Sequence, residues 1–405
     1  MAQGKITRVA LTNYKSIAAC DVPLGPLTIL VGPNGAGKSN FIDALRFCRD
    51  ALRTPLDQVF AKRNTNLHNL LHRSPANPDS LEMRFEFTLG DGETTGAYSF
   101  AIGRQAPRGF EVRQEKCVIQ AADGRTRVLF ELQSGMFTHA VGMGRLTLHP
   151  PSSNRLYLVN ALDDRGSQAV YELLSAMEFC TPDPERMRLD LDTTGSADIL
   201  DEDGENIATV LDRLSRTQKY TKDRIEEYLQ AIVPGLQRVE AQDFKFYKFL
   251  NFYQAVAGST KPIEFLASNM SDGTLRALAL LVALFQNAGG DSRMPLIGIE
   301  EPETGLHPAA TAVLLDALRE ASESVQVVVT SHSSDLLDNK DVSSDALRAV
   351  YWENGETRIV SVDSASRSAL HDRLYTAGEL LRMGSLLPDR REPSEEADSK
   401  VHLSH

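Results

Sequence analysis

The period of apolar and polar positions changes along the chain, and each change marks an element. Lys5–Leu11 and Leu27–Val31 are short runs rich in leucine and β-branched residues and predict strands. Between Phe41 and Leu52 the apolar residues fall at helical spacing (Phe41, Ile42, Leu45, Cys48, Leu52). From Leu81 to Leu132 the period drops to two, as in Met83, Phe85 and Phe87, with turns at Asp91-Gly92 and Asp123-Gly124. This predicts an antiparallel β-lobe inserted after the first helix. Leu158–Phe179 and Ile207–Ile232 predict helices, and Phe244–Val256 returns to strand composition. Leu275–Phe285 is apolar all round, the pattern of a buried helix. Leu296–Ile299 and Val325–Val329 are continuous apolar runs, expected of parallel strands covered on both faces, with Ala309–Leu318 the helix between them. No repeat and no sustained heptad appears. The expected organisation is one α/β head over residues 1–388, with its β-lobe near 81–132 and a helical lobe near 150–285. A polar segment, 389–405, is expected to stay uncompacted.

Composition narrows this little. The 405 residues carry a formal charge of −12, which argues against indiscriminate coating of nucleic acid. The four cysteines are scattered, as suits a reducing cytosol. No apolar run reaches the roughly 18–20 residues that span a bilayer, and Met1–Lys5 lacks the apolar core of a secretory signal. A cytoplasmic protein without a membrane partner is expected.

The chemistry lies at strand ends. Gly32-Pro33-Asn34-Gly35-Ala36-Gly37-Lys38-Ser39 follows a strand and precedes a helix, the context of a phosphate-binding loop. Its glycines let backbone N–H groups turn inward, and the helix, through Asn40, adds its positive end. Lys38 is expected to reach the outer phosphates of ATP and Ser39 to ligate Mg²⁺. Leu296–Ile299 ends in Glu300-Glu301, where Glu300 would support the metal and Glu301 would act as general base. His332, in Thr330-Ser331-His332, could donate to the terminal phosphate. Ser271-Asp272-Gly273-Thr274 caps the buried helix and offers free N–H groups from Ser271 and Gly273. It stands far from the phosphate loop in sequence, so the phosphate it meets is expected to belong to another subunit.

In this order, these motifs resemble those of ABC-type ATPase heads, P-loop NTPases, and more narrowly the RecF/SMC/OLD-like branch. Asn13-Tyr14-Lys15-Ser16, Met270–Thr274 and Glu300-Glu301-Pro302-Glu303-Thr304-Gly305-Leu306-His307-Pro308 are similar to that branch's N-terminal element, signature loop and Walker B–D-loop segment. Asp203-Gly204-Glu205-Asn206 and Gly378-Glu379-Leu380-Leu381 resemble recurrent elements of its bacterial members. The resemblance implies ATP and Mg²⁺ as cofactors and a homodimer or higher homo-oligomer. Each ATP would lie between one subunit's phosphate loop and the other's Ser271 loop. The family's metal-touching glutamine stays open between Gln114, Gln120 and Gln133, and Glu300 stands where an aspartate is usual. SMC-type coiled-coil arms are missing, and no segment is long enough for the nuclease domain of OLD enzymes. A separately encoded effector, a nuclease or toxin, is therefore expected, in anti-phage defence or a toxin–antitoxin system. A RecF-like DNA-repair clamp is the alternative. A transporter ATPase fits poorly, because Ser-Asp-Gly-Thr replaces the Leu-Ser-Gly-Gly-Gln signature.

Three weaker signals stand beside these. His68 and His72, four apart, suit two metal ligands or a solvated helix face. Phe244-Lys245-Phe246-Tyr247-Lys248-Phe249 suits single-strand binding or an amphipathic strand with lysines outward. Arg104, Arg108, Arg113, Lys116, Arg125 and Arg127 give the β-lobe a positive balance that could face DNA, or a solvated hairpin.

Overall fold

A computed structural model describes residues 4–90, 92–105, 109–140, 152–188, 191–192, 199–244, 247–287 and 294–390. The chain opens with β1 (Lys5–Tyr14), β2 (Ile17–Pro23), β3 (Leu27–Val31) and α1 (Lys38–Arg53). The short helices α2 (Leu56–Lys62) and α3 (Leu67–Leu70) precede a meander. Its strands are β4 (Ser80–Thr88), β5 (Thr95–Gln105), β6 (Gly109–Gln120), β7 (Thr126–Gln133) and β8 (Met136–Ala140). Next come α4 (Arg165–Ser175), β9 (Glu178–Cys180), α5 (Pro184–Met187), β10 (Leu191–Asp192), α6 (Ile207–Thr217) and α7 (Lys219–Ile232). Strands β11 (Leu236–Phe244), β12 (Tyr247–Gln254) and β13 (Ile263–Leu266) follow. The last third holds α8 (Asp272–Phe285), β14 (Leu296–Glu300), α9 (Pro308–Ser322), β15 (Gln326–Ser331), β16 (Leu347–Glu353), β17 (Glu356–Ser361), α10 (Ser364–His371) and α11 (Ala377–Arg382).

Three sheets result. The central one runs β17-β16-β3-β15-β14-β9, parallel except for the edge strand β17. Its strand β15 is buried along its whole length, because helices cover both faces. A seven-stranded antiparallel sheet runs β2-β1-β4-β5-β6-β7-β8, and in β4 every second residue (Leu81, Met83, Phe85, Phe87) is buried. Helix α1 lies between these two sheets. Its Phe41, Leu45 and Phe47 share a core with Val9, Met83, Phe85 and Val328. A second core joins the other face of the central sheet to α6, α7, α8 and α9. Each fully buried leucine or phenylalanine contributes about 1.5–3 kcal/mol of transfer free energy, and α8 is buried from Leu275 to Phe285 apart from Arg276.

Several expectations change in detail. The strand at Lys5–Leu11 extends to Tyr14 and pairs with β2, which the pattern did not mark. The meander is therefore added to the edge of this hairpin through β4 on β1, rather than forming a separate lobe. Leu158–Phe179 is helical only over Arg165–Ser175, after a short 3₁₀ turn at Tyr157–Asn160; Phe179 lies on β9, paired with β14. Ile207–Ile232 breaks into two helices at Gln218 (φ −142°). The region 150–285 also holds β11 to β13, so it is mixed rather than helical. The strand expected at Val325–Val329 runs over Gln326–Ser331 and so takes in Thr330 and Ser331. Of the polar segment 389–405, Asp389 is hydrogen-bonded to Ser361 and paired with Arg367, and residues 391–405 lie outside the described residues.

Candidate functional site

The phosphate loop, 32–37, joins β3 to α1. Gly37 caps α1 in the left-handed conformation (φ 98°) without a side-chain cap, so the first N–H groups of α1, including that of Ser39, keep no side-chain acceptor. A Cβ at Gly37 would lie 2.0 Å from Thr357 Oγ1 and 2.7 Å from Ser16 Oγ, so glycine is required there. The Lys38 ammonium is buried and donates to the carbonyls of Gly32 and Pro33, at 2.9 and 3.0 Å. Burial pushes its pKa below the ordinary lysine range, and the nearby carboxylates of Glu301 and Glu303 oppose that shift.

The strand ends converge on the same ammonium. Glu300 closes β14 beside Thr330 of β15. Glu301 follows in the left-handed region (φ 43°), a strained conformation for a residue with a side chain. Its amide donates to the Thr330 carbonyl at 3.1 Å, which fixes the turn. His332 Nδ1 stands 3.3 Å from the Glu301 carboxylate and 3.9 Å from that of Glu303. Glu303 Oε1 accepts from the Ser331 hydroxyl (2.6 Å) and the His332 amide (3.3 Å). Lys38, Glu301, Glu303 and His332 thus form one cluster beside the loop. Glu303 was expected only as part of the motif, and its contacts give it a place of its own.

Glu300 has a partner that the motif did not suggest. Arg46, from α1, reaches its carboxylate at 3.2 Å and also binds Glu202 at 2.6 Å. Glu202 precedes Asp203-Gly204-Glu205-Asn206, so this turn is tied to α1. Ser39 and Arg46, seven residues apart, lie on one face of α1.

The Asn13–Ser16 turn braces α1. Asn13 and Lys15 have positive φ. Tyr14 OH donates to Asp43 at 2.7 Å, and Lys15 and Arg63 pair with the same carboxylate. Burial alone would raise the Asp43 pKa; Arg63 and Lys15 overcome it and hold the group below the usual carboxylate range. Ser16 Oγ accepts from Asn40 Nδ2 and lies 2.7 Å from Thr357 Oγ1, which donates to the Ala36 carbonyl. Thr357 had no sequence signal beyond the Asn354-Gly355 turn three residues before it.

Ser271 caps α8 by accepting from the Thr274 amide, and a Cβ on Gly273 would lie 2.3 Å from the Gly305 carbonyl. The Ser271 loop therefore abuts the segment after Glu303. Among the described residues, no hydrogen bond or ion pair joins it to the phosphate loop.

The weaker signals find other partners among the described residues. His72 is off helix α3 and is engaged with the Lys15 carbonyl, while His68 contacts Arg104. Lys248 points inward, buried between Asp212 and Asp243, because a buried ammonium needs carboxylates. Lys245, Phe246 and Arg108 lie outside the described residues. Arg113, Lys116, Arg125 and Arg127 each sit on a carboxylate, which cancels most of the expected positive balance. Gln114, Gln120 and Gln133 are exposed on β6 and β7 and make no described contact with the phosphate loop. A cleft of about 830 Å³ opens at the opposite end of β3, among Leu27, Arg224 and Glu320, and shares no residue with this site.

The chain is similar to several known proteins. The Old nuclease of Escherichia phage P2 is 22% identical over 368 residues, 87% of this chain and 60% of that protein. The chain therefore spans 60% of that nuclease's length. The DNA replication and repair protein RecF of Porphyromonas gingivalis is 45% identical over 58 residues, 13% of this chain and 16% of its own length. An SMC head bound to the C-terminal winged-helix domain of ScpA superposes with a TM-score of 0.55 at 16% identity, covering 89% of this chain and 99% of that one. A Pyrococcus furiosus Smc head bound to the C-terminal domain of ScpA gives 0.54 at 13%, covering 92% and 100%. Among the described residues, no helix is long and apolar enough to cross a membrane. The family model described as "AAA domain, putative AbiEii toxin, Type IV TA system" matches residues 27–125 and 148–338, and the chain belongs to this family, as an ABC-type ATPase head of the RecF/SMC/OLD branch.

Proposed function

We propose that the protein binds ATP with Mg²⁺, hydrolyses it slowly, and passes the resulting closure to a separately encoded effector. The observation that carries this is the convergence of Lys38, Glu301 and His332 at the phosphate loop. Gly32–Gly37 and the amides of Lys38, Ser39 and Asn40 surround the phosphates, and Lys38 neutralises the outer ones. Ser39 and Glu300 are the residues that would hold Mg²⁺; the oxygen donors of both side chains suit a hard cation. When bound, the ion would neutralise charge developing on the transferred phosphoryl group. Glu301 takes a proton from the attacking water. His332, steadied through Glu303, donates toward the terminal phosphate. The Arg46–Glu300 pair is a brake, since Glu300 must exchange a guanidinium for the ion.

We further propose a head-to-head homodimer, in which Ser271 and Gly273 complete the partner's site. The setting is the cytoplasm, in anti-phage defence or a toxin–antitoxin system, with a nuclease or toxin as effector and DNA as a candidate ligand. The description of the family and the likeness to the phage P2 nuclease support this reading. The 45% match to RecF favours a second reading, a clamp in DNA repair. The first test is direct. Lys38→Ala should abolish ATP binding, whereas Glu301→Gln should keep it and lower hydrolysis by about 10²–10⁴-fold. Wild-type hydrolysis by Glu301→Gln would remove Glu301 from the role of base.

A further inference from the structure

We infer that Trp352 is the stacking platform for the base of the bound nucleotide, an inference that rests on the nucleotide-binding reading above. Trp352 is the only tryptophan of the chain and is 53% exposed. It stands at the end of the β16–β17 hairpin, whose two-residue turn, Asn354-Gly355, has both residues at positive φ (52° and 89°), the type I′ pattern. Trp352 lies directly opposite Thr357. The Thr357 amide donates across its other edge to the Ser16 carbonyl at 2.8 Å, so Trp352 and Thr357 form a non-hydrogen-bonded pair. Side chains of such a pair share a face, with Cβ atoms about 4.5–5.5 Å apart. Thr357 is fully buried on that face, with its hydroxyl on Ala36 of the phosphate loop and on Ser16. Ser16 is bonded in turn to Asn40 in the first turn of α1. A chain of contacts therefore runs from the helix that receives the phosphates to the neighbour of Trp352.

Strand order gives the direction. β3 lies between β15, which carries the Ser331–His332 end of the hydrolytic cluster, and β16. On the nucleotide-binding reading the terminal phosphate lies toward the hydrolytic cluster at the end of β15, which sends the base to the β16 side. Residue 349 of β16 is level with Val31 of β3, and Trp352 is therefore level with the loop itself. A large aromatic ring half open to water at this rim can take a planar base, and stacking needs no hydrogen-bond code.

The test uses the emission of this single tryptophan in the full chain, with ADP and with tripolyphosphate, which has the phosphates but no base. ADP should quench or shift the emission, and tripolyphosphate should bind without doing so. Trp352→Ala should weaken ADP binding by roughly tenfold or more, leave tripolyphosphate affinity unchanged, and be largely rescued by Trp352→Phe. The wild-type emission needs no variant. ADP binding with silent emission, or equal ADP affinity in Trp352→Ala, overturns the inference. Failure of wild-type protein to bind either ligand instead removes the nucleotide-binding reading, and this inference with it.

Discussion

Glu303 stands behind a proline, yet it holds together both the Ser331 hydroxyl and the His332 amide through one oxygen. Its other oxygen is buried without a hydrogen-bond partner among the described residues. A buried carboxylate costs stability unless it is paired and hydrogen-bonded, and this one is satisfied through Oε1 alone, so we propose that it is kept to position the His332 backbone. Glu303→Ala should slow hydrolysis by up to about 100-fold with ADP affinity preserved. Glu303→Gln keeps an oxygen acceptor at the same reach and should retain most of the rate. Turnover and ADP affinity of both variants decide the matter: a glutamine variant as slow as the alanine one would rule out acceptor geometry as the cause. Glu300, Glu301 and His332 were legible in the sequence because each closes or follows an apolar run. The roles of Glu303 and Arg46 were not. Their partners lie 28 and 254 residues away, so the contacts exist only once β14 is in register with β15 and α1 is rotated against both.

Strand β6 illustrates what a single element can hold. Glu115 on this strand is fully buried and accepts from Tyr98 OH and from the amides of Tyr157 and Leu158, tying that segment to the antiparallel sheet. Burial pushes its carboxyl up from 4.5 to about 7, against the pull of these three hydrogen bonds. The folded state therefore binds this proton more tightly than the unfolded chain does. The resulting stability is complete below pH about 4.5 and disappears as pH rises through about 7. The difference is on the order of 3 kcal/mol. Thermal unfolding at pH 5 and pH 8 should show a larger loss in wild type than in Glu115→Gln. Equal losses would mean that Glu115 does not titrate in this window. Elements with a long, clean period, such as α1, β4, α8, β14 and β15, were readable from sequence for the same reason that they are stable: one face or every face is buried. Glu178–Cys180 was not readable. Three residues are too few to show a period, and their strand conformation comes from pairing with Ile297–Ile299.

At the scale of the molecule, the phosphate loop and the Ser271 loop belong to different cores. α1 packs with the antiparallel sheet, whereas α8 packs with α6, α7 and α9 on the other face of the central sheet. Ser271 is exposed at the free N–H end of α8, and its neighbour Gly273 lies against Gly305, so these two loops present one continuous surface. A helix terminus of this kind attracts an anion. With no hydrogen bond or ion pair to its own phosphate loop among the described residues, the anion we propose for it is the phosphate held by a second copy. In a two-fold dimer the same patches meet on both sides, giving two equivalent composite sites. Ser271→Arg should then abolish hydrolysis while single subunits still bind ATP, and Lys38→Ala should abolish it by the opposite route. Mixing the two inactive proteins is the decisive measurement. One site of the heterodimer pairs the damaged loop with the damaged signature, and the other pairs the intact loop of the Ser271→Arg subunit with the intact Ser271 of the Lys38→Ala subunit. Hydrolysis should therefore reappear on mixing, peak near equal proportions, and fall away at either extreme. Mass determined with and without ATP reports whether heterodimers form. If they form and the mixture stays inactive at every ratio, either the shared arrangement fails or the two sites are so strongly coupled that one cannot fire alone.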